Sequence, residues 1–316
     1  MPERFNYGGQ AVIEGVMIRG RTHVSVSVRR PNGLIRSRCE PLSQLFVGKL
    51  RRIPLIRGVI VLVETLALGL KAIMFSANIA LEEDDDDTKE TEPSAIATGA
   101  MLVVSLSIAI GLFFVGPLFI IRAVDPYIAS SVVSNIAEGG IRMGIFLVYL
   151  YLMGFMPDMR RVFAYHGAEH MTIAAHENGE PLRVDTIRKF GKEHPRCGTA
   201  FLMVVMVVAV ITFVFLGRPD FWLRMASRIV LVPAIAAVSY EIIRFNAAHS
   251  ANVLSRMVIA PGLALQKLTT RKPDDDQIEV AIDAMQVALA ADGEAVGEES
   301  AVAPGGLSPA PASSVS

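Results

Sequence analysis

Two histidines four residues apart, with a glutamate just before the second, occur once in this chain, in Tyr165-His166-Gly167-Ala168-Glu169-His170. On a helix, His166 and His170 project from adjacent turns of one face, and Glu169 lies at its edge. Two imidazoles so placed can bind one metal ion, and the carboxylate beside them can take a proton from water. That division of labour is found in H-x-x-E-H hydrolases. A catalytic zinc site ordinarily uses three protein ligands. The nearest further donors are His194 and Cys197 in "HPRCGT", a turn held by Pro195 and Gly198. Imidazoles with a thiolate favour zinc among divalent metals. Glu177, Glu14 and Glu241 are carboxylate alternatives.

Glu14 sits among apolar and glycine residues in "YGGQAVIEGVMIRG" and needs a partner. Arg19 is the nearest cation in sequence, and a substrate or supporting role for Glu14, Arg19 and Glu177 at the site is the sharper expectation. The stretch holds four glycines in fourteen residues, which signals turns or close backbone approach. It is not a phosphate loop, since it lacks G-x-x-x-x-G-K-[ST].

The elements that must position these residues follow from composition. Of 316 residues, 52% are hydrophobic and 19% charged, with mean hydropathy +0.45. This is too apolar for a soluble domain of that length and points to an α-helical integral membrane protein in contact with the lipid bilayer. A net charge of −1 offers no field for nucleic acid. Two cysteines, Cys39 and Cys197, imply no disulfide framework. No cleavable leader is evident at the N-terminus.

Residues 1–54 read as a small soluble β unit, giving a mixed α+β chain. Val24, Val26 and Val28 alternate before Asn32-Gly33, the pattern of a strand, a turn and a second strand. Residues 55–81 are long enough to span a bilayer, but Arg57, Glu64, Lys71 and Asn78 recur every seven residues in one stripe. The cost of intramembrane charge favours an interfacial or partly embedded helix there. The run 82–97 is an acidic linker. Four transmembrane helices follow, near 98–121, 140–156, 200–217 and 228–245, as pairs within 98–156 and 200–245.

Between the pairs lies the connection 157–199, which carries the His/Cys motif and seven basic residues: Arg160, Arg161, Arg183, Arg188, Lys189, Lys192 and Arg196. Only Arg122 lies in 122–139. The positive-inside rule therefore places both termini and the motif in the cytoplasm of a multi-pass inner (plasma) membrane protein. Arg218 and Arg224, in the short loop 218–227, fit this less well. Residues 246–291 read as cytoplasmic helices, the last starting at a capping box of Asp276 and Glu279, and 292–316 as a disordered tail.

Four stretches, "YGGQAVIEGVMIRG", "YHGAEH", "HPRCGT" and "LTTRKPDDDQIEVAI", resemble in the same order the YqhQ family of bacterial integral-membrane proteins, described as predicted metal-dependent enzymes. The resemblance spans about residues 5–290. It implies a metal centre at His166, Glu169, His170, His194 and Cys197. The family has no established reaction. A lysine is expected after "YHGAEH", where this chain has Met171.

Three functions compete on this basis. The first is a membrane-embedded, zinc-dependent hydrolase acting on a peptide, lipid or amphiphile, with Glu169 as the base. The second is a non-enzymatic assembly or regulatory factor with a structural metal centre. The third, an ion transporter, is weaker because the spans carry few ionisable groups.

Overall fold

A computed structural model describes residues 5–43, 53–80, 95–249 and 252–294. Four strands, β1 (Gly8–Val12), β2 (Gly15–Arg19), β3 (His23–Arg29) and β4 (Ile35–Pro41), form an antiparallel meander in sequence order. Gly33, at φ +86°, makes the β3–β4 turn. The expected hairpin is thus the second half of a four-stranded sheet.

Both faces of that sheet are covered. Val24, Val26 and Val28 join Val12 and Met17 against Ala72 and Ile79 of α1 (Ile56–Ala80). The opposite face carries Val16 and Ile18 beside Ser25 and Ser27. It meets α5 (Pro157–Glu177) and α11 (Asp275–Ala291). Alternation with serine suggests an exposed face, yet Ser25 and Ser27 are fully buried. Their hydroxyls donate to the Ala284 carbonyl at 2.6 Å and the Asp283 carboxylate at 2.7 Å. Hydrogen bonding of this kind makes such burial tolerable.

Pro157 occupies the first turn of α5, where its missing N–H costs nothing, and Gly179 follows the helix at φ +74°. The capping box of α11 is Asp274 with Gln277, two residues before the expected Asp276 and Glu279. The last of three aspartates cannot cap once the first has begun the helix. Tyr165, Ala168 and Ile173 of α5, Ile278 and Met285 of α11, and Val16 and Ile18 of β2 share one core. Three segments distant in sequence thereby form one unit.

Four helices are long and apolar enough to cross a membrane among the described residues: Ile56–Ala80, Thr98–Tyr127, Ser131–Met153 and Gly198–Leu216. A fifth candidate is a pair bent by 46°, Phe221–Val230 with Val232–Asn246. Thr98–Tyr127 comprises the end of α2 (Ala95–Ile110), a π-helical turn (Gly111–Val115), α3 (Gly116–Val124) and a short 3-10 turn. Next come α4 (Ser131–Met153), a short α6 (Val184–Ile187), α7 (Gly198–Leu216), α8 (Phe221–Val230), α9 (Val232–Ala248) and α10 (Val253–Thr269). The expected span at 140–156 therefore begins nine residues earlier, at Ser131. Polar Ser134, Asn135 and Glu138 are buried against protein rather than excluded from the helix. The expected span at 228–245 is the second limb of the bent pair, with Pro233 in the first turn of that limb.

The stripe on α1 faces protein in part. Arg57 pairs with Glu241 of α9, and Glu64 accepts from Arg19 at 2.9 Å. The acidic run 82–94 and the tail from 295 lie outside the described residues.

Gly167 fixes how α5 meets the chain before α11. A Cβ there would lie 2.1 Å from the Arg271 carbonyl oxygen, a main-chain atom that Arg271 N–H to Phe163 O holds in place at 2.8 Å. Gly167→Ala is expected to cost ~2–3 kcal/mol through this overlap. Thermal unfolding of the purified full chain checks it, and an unchanged melting temperature would contradict it.

Candidate metal centre

The ring nitrogens of His166 and His170 are set by the main chain. His166 Nδ1 lies 2.9 Å from the Thr269 carbonyl at the end of α10, and His170 Nδ1 lies 2.7 Å from the Lys192 carbonyl. A carbonyl only accepts, so both Nδ1 atoms carry a proton, and in the neutral imidazole each Nε2 then presents its lone pair. Backbone anchoring of this type orients histidine metal ligands.

Cys197 supplies the third donor. It is the N-cap of α7, and its Sγ accepts from the Thr199 N–H at 3.4 Å. His166 Nε2 lies 3.2 Å from the same sulfur. One donor atom each from His166, His170 and Cys197 falls within 4.8 Å of the others. Two imidazole lone pairs and a sulfur facing one point repel one another unless a cation or proton sits between them. The donor set therefore fits a divalent metal, and its softness suits zinc.

Glu169 stands beside this set. Its Oε2 is 4.0 Å from His166 Nε2 and 3.9 Å from His170 Nε2. The carboxyl is buried, and β1 covers it so closely that a Cβ on Gly9 would come within 2.7 Å of Glu169 Cγ. The close backbone approach expected of the glycine-rich stretch occurs here. Burial pushes the Glu169 carboxyl up to about 8, the nearby Cys197 adds to the rise, and His166 and the Gly9 N–H oppose it. Burial likewise pushes His170 down to about 3, helped by His166 and His194, so its imidazole is neutral and able to ligate. The Cys197 thiol is pushed up by burial, against the hydrogen bonds from Thr199 and Ala200 at the start of α7.

The remaining sequence candidates are placed as follows. His194 is adjacent, with its ring centroid 5.7 Å from that of His170, but its Nε2 lies 3.3 Å from Glu177. Glu177 also pairs with Arg196. Gln266 brackets His194, accepting from its N–H at 2.8 Å and donating to its carbonyl at 2.9 Å. Glu14 is not paired with Arg19. Its carboxylate accepts from Arg161 at 2.5 Å and from the Tyr165 hydroxyl at 3.2 Å, because the β1–β2 turn aims it at α5 while Arg19 reaches α1. Met171 lines a cleft of about 520 Å³ with Arg188, Lys272 and Asp274, and none of the three donors lines it. Sequence reasoning missed Thr269, Lys192, Gly9 and Gln266. The first three act through the main chain, and only the glycine-rich stretch gave a signal for any of them.

Residues 53–291 match a family model described as a protein of unknown function, DUF1385. The chain belongs to this family. It is 30% identical over 294 residues to the uncharacterized protein YqhQ of Bacillus subtilis (strain 168), covering 90% of this chain and 92% of that protein. No solved structure matches. The family match includes every donor of the centre.

The two shifted groups give the metal-free protein a pH signature. Glu169, raised from 4.5 to about 8, contributes stability that is full below 4.5 and is lost as pH rises through 8. His170, lowered from 6.5, acts oppositely and only below 6.5. Between pH 6.5 and 8 the Glu169 effect is therefore isolated from that of His170. In chelator, the wild-type chain is expected to lose stability across that interval and Glu169→Gln to lose less. Denaturant unfolding at several pH values decides it, and equal slopes for the two proteins would contradict the assignment.

Proposed function

We propose that this chain is an integral membrane protein holding a divalent metal, zinc by donor chemistry, and that it hydrolyses an amphiphilic substrate at the cytoplasmic face. The observation that carries the reading is the convergence of His166 Nε2, His170 Nε2 and Cys197 Sγ, with the Glu169 carboxylate alongside but outside the group. Three ligands with a separate carboxylate is the arrangement of an open, catalytic site rather than a closed structural one.

The membrane reading rests on α8. Its Arg224 and Arg228 are 4% and 0% exposed, whereas Trp222 and Val230 are both 73% exposed. Water would favour the reverse and lipid favours this. Four crossings, at 98–127, 131–153, 198–216 and the bent pair, return the chain to its starting side. The sheet, α5 and α11 then share the basic, cytoplasmic face. The sheet covers one side of α1 while Val63, Leu66 and Ile73 remain exposed on it, which supports an interfacial helix. Cys197 caps α7, so the centre lies where that helix enters the bilayer.

Zinc held by His166, His170 and Cys197 would supply a Lewis acid and acidify water near neutral pH. Glu169, held by β1 beside both imidazoles, would take the proton of the attacking water and return it to the leaving group as the scissile bond breaks. The Thr269 and Lys192 carbonyls hold the proton of each neutral imidazole on Nδ1, which turns both Nε2 atoms toward the centre. A substrate peptide, lipid or other amphiphile reaches the centre from the interface beside α7.

Elemental analysis of the detergent-purified full chain is expected to give about one zinc per chain. His166→Ala, His170→Ala and Cys197→Ser are expected to lose it, and His194→Ala to keep it. Zinc absent from the wild type, or unchanged in all three donor variants, would overturn the centre. Glu169→Gln is expected to keep the metal and to lose ~10²–10⁴-fold in turnover of ester, amide or phosphoester amphiphiles. A variant that keeps both metal and turnover would instead favour a structural clamp joining α5 to α7.

A further inference from the structure

The end of the helix bundle away from the metal centre carries a second cluster that the hydrolase reading does not use. Glu138 of α4 accepts from Arg142 at 2.8 Å, from Arg224 at 2.8 and 3.1 Å, and from Arg228 at 2.9 and 3.0 Å. Asp125 accepts from Ser134 at 2.5 Å and from Arg224 at 2.7 Å, with Arg218 at 3.4 Å. Arg142 lies at the middle of Ser131–Met153 and donates at 2.9 Å to the Phe113 carbonyl, within the π-helical turn near the middle of Thr98–Tyr127. The cluster thus runs from the helix ends to mid-depth.

Its charges do not balance. Among the described residues of these helices and the turns joining them, five guanidinium groups, Arg122, Arg142, Arg218, Arg224 and Arg228, stand against three carboxylates, Asp125, Glu138 and the exposed Asp220, which leaves two positive charges in excess. The ring of Phe213, 4.0 Å from the Arg228 guanidinium and 5.6 Å from that of Arg142, eases their desolvation but contributes no negative charge. The buried arginines are already engaged with Glu138, so the unused donors lie at the mouth. The Arg218 side chain is 31% exposed, and among the described residues only its Nη2 is bonded, to the Ile128 carbonyl at 2.7 Å and the Asp125 carboxylate. Arg122 is exposed and rests on the Phe221 ring at 4.8 Å, its only contact of this kind among the described residues. Excess positive charge beside low-dielectric walls attracts an anion, and planar guanidinium groups with free N–H edges select oxyanions.

We propose that this mouth binds a phosphate-class oxyanion between Arg218 and Arg122, backed by the Glu138 arginine cluster. The membrane reading enters only in offering a lipid headgroup as one source of that phosphate. The site accounts for two cations in 218–227, where the positive-inside rule expects few: Arg224 is tied to Glu138 and Asp125, and Arg218 would share its charge between Asp125 and the oxyanion.

Trp222, the chain's single tryptophan, is next to Phe221 and reports on this mouth. The full chain in neutral detergent is titrated with inorganic phosphate at constant ionic strength, following Trp222 fluorescence. A saturable change is expected, weakened at least ~tenfold in Arg218→Gln and less in Arg218→Lys, which keeps the charge without the fork. Repeating the titration in nanodiscs of phosphatidylcholine, with and without phosphatidylglycerol, separates the sources. Competition by phosphatidylglycerol identifies a headgroup site, and its absence a free oxyanion site. No saturable response, one reproduced by chloride, or one unchanged in Arg218→Gln would overturn the proposal. Should Arg218→Gln fail to elute as the wild type does, Arg122→Gln, whose side chain has only the ring contact, takes its place under the same criteria. Zinc content and monodispersity without detergent are measured on the same samples, so failure of the metal or membrane reading is seen separately.

Discussion

The main chain from Thr269 to Arg271 lies directly on α5, and the candidate centre depends on that contact. Within it, the Thr269 carbonyl fixes the His166 tautomer, the Arg271 N–H bonds to Phe163, and the Arg271 carbonyl occupies the space a side chain at Gly167 would need. The glycine in Tyr165-His166-Gly167-Ala168-Glu169-His170 is therefore a steric requirement between two ligands. The same contact joins α10, which frames His194 through Gln266, to α11, which closes the sheet. One main-chain crossing sets ligand orientation and holds together segments more than a hundred residues apart.

Around this crossing the sheet acts as a lid with two different faces. Toward α1 it is aliphatic, and toward α5 and α11 it is mixed, with Ser25 and Ser27 bonded into α11. Gly9 on β1 presses the main chain against Glu169. Burial of that carboxyl without a strong ion pair raises its proton affinity, as a base working near neutral pH requires. Glu14, by contrast, is satisfied by Arg161 and Tyr165 and steadies the β1–β2 turn on α5.

In the proposed topology the two polar centres lie at opposite ends of the bundle and differ in kind. The His/His/Cys set is donor-rich and converges on one point. The Glu138 cluster is ionic, and its carboxylates are saturated by guanidinium groups that hold the bent pair α8–α9 to α4. Removing Glu138 would leave three buried cations facing one another, whereas removing a donor of the metal set leaves a neutral gap. The apolar helices therefore carry far more ionisable chemistry than their average hydropathy suggests, and the buried guanidinium groups among them are gathered on one carboxylate.

By itself the sequence determined the apolar helices, the strand pattern around Val24–Val28, the His166–Glu169–His170 face and the turn that presents Cys197. These features depend on local periodicity and spacing, which residue order specifies directly. Only the tertiary structure decided that Cys197 rather than His194 shares a point with the two histidines, that Arg161 rather than Arg19 answers Glu14, and that Ser25 and Ser27 face a helix rather than water. It also decided that the α11 cap is Asp274, and that Arg224 and Arg228 turn inward to Glu138. Each of these outcomes turns on which distant segment arrives opposite a given side chain. Hydrogen-bond geometry and desolvation choose among chemically equivalent partners only after the chain has packed.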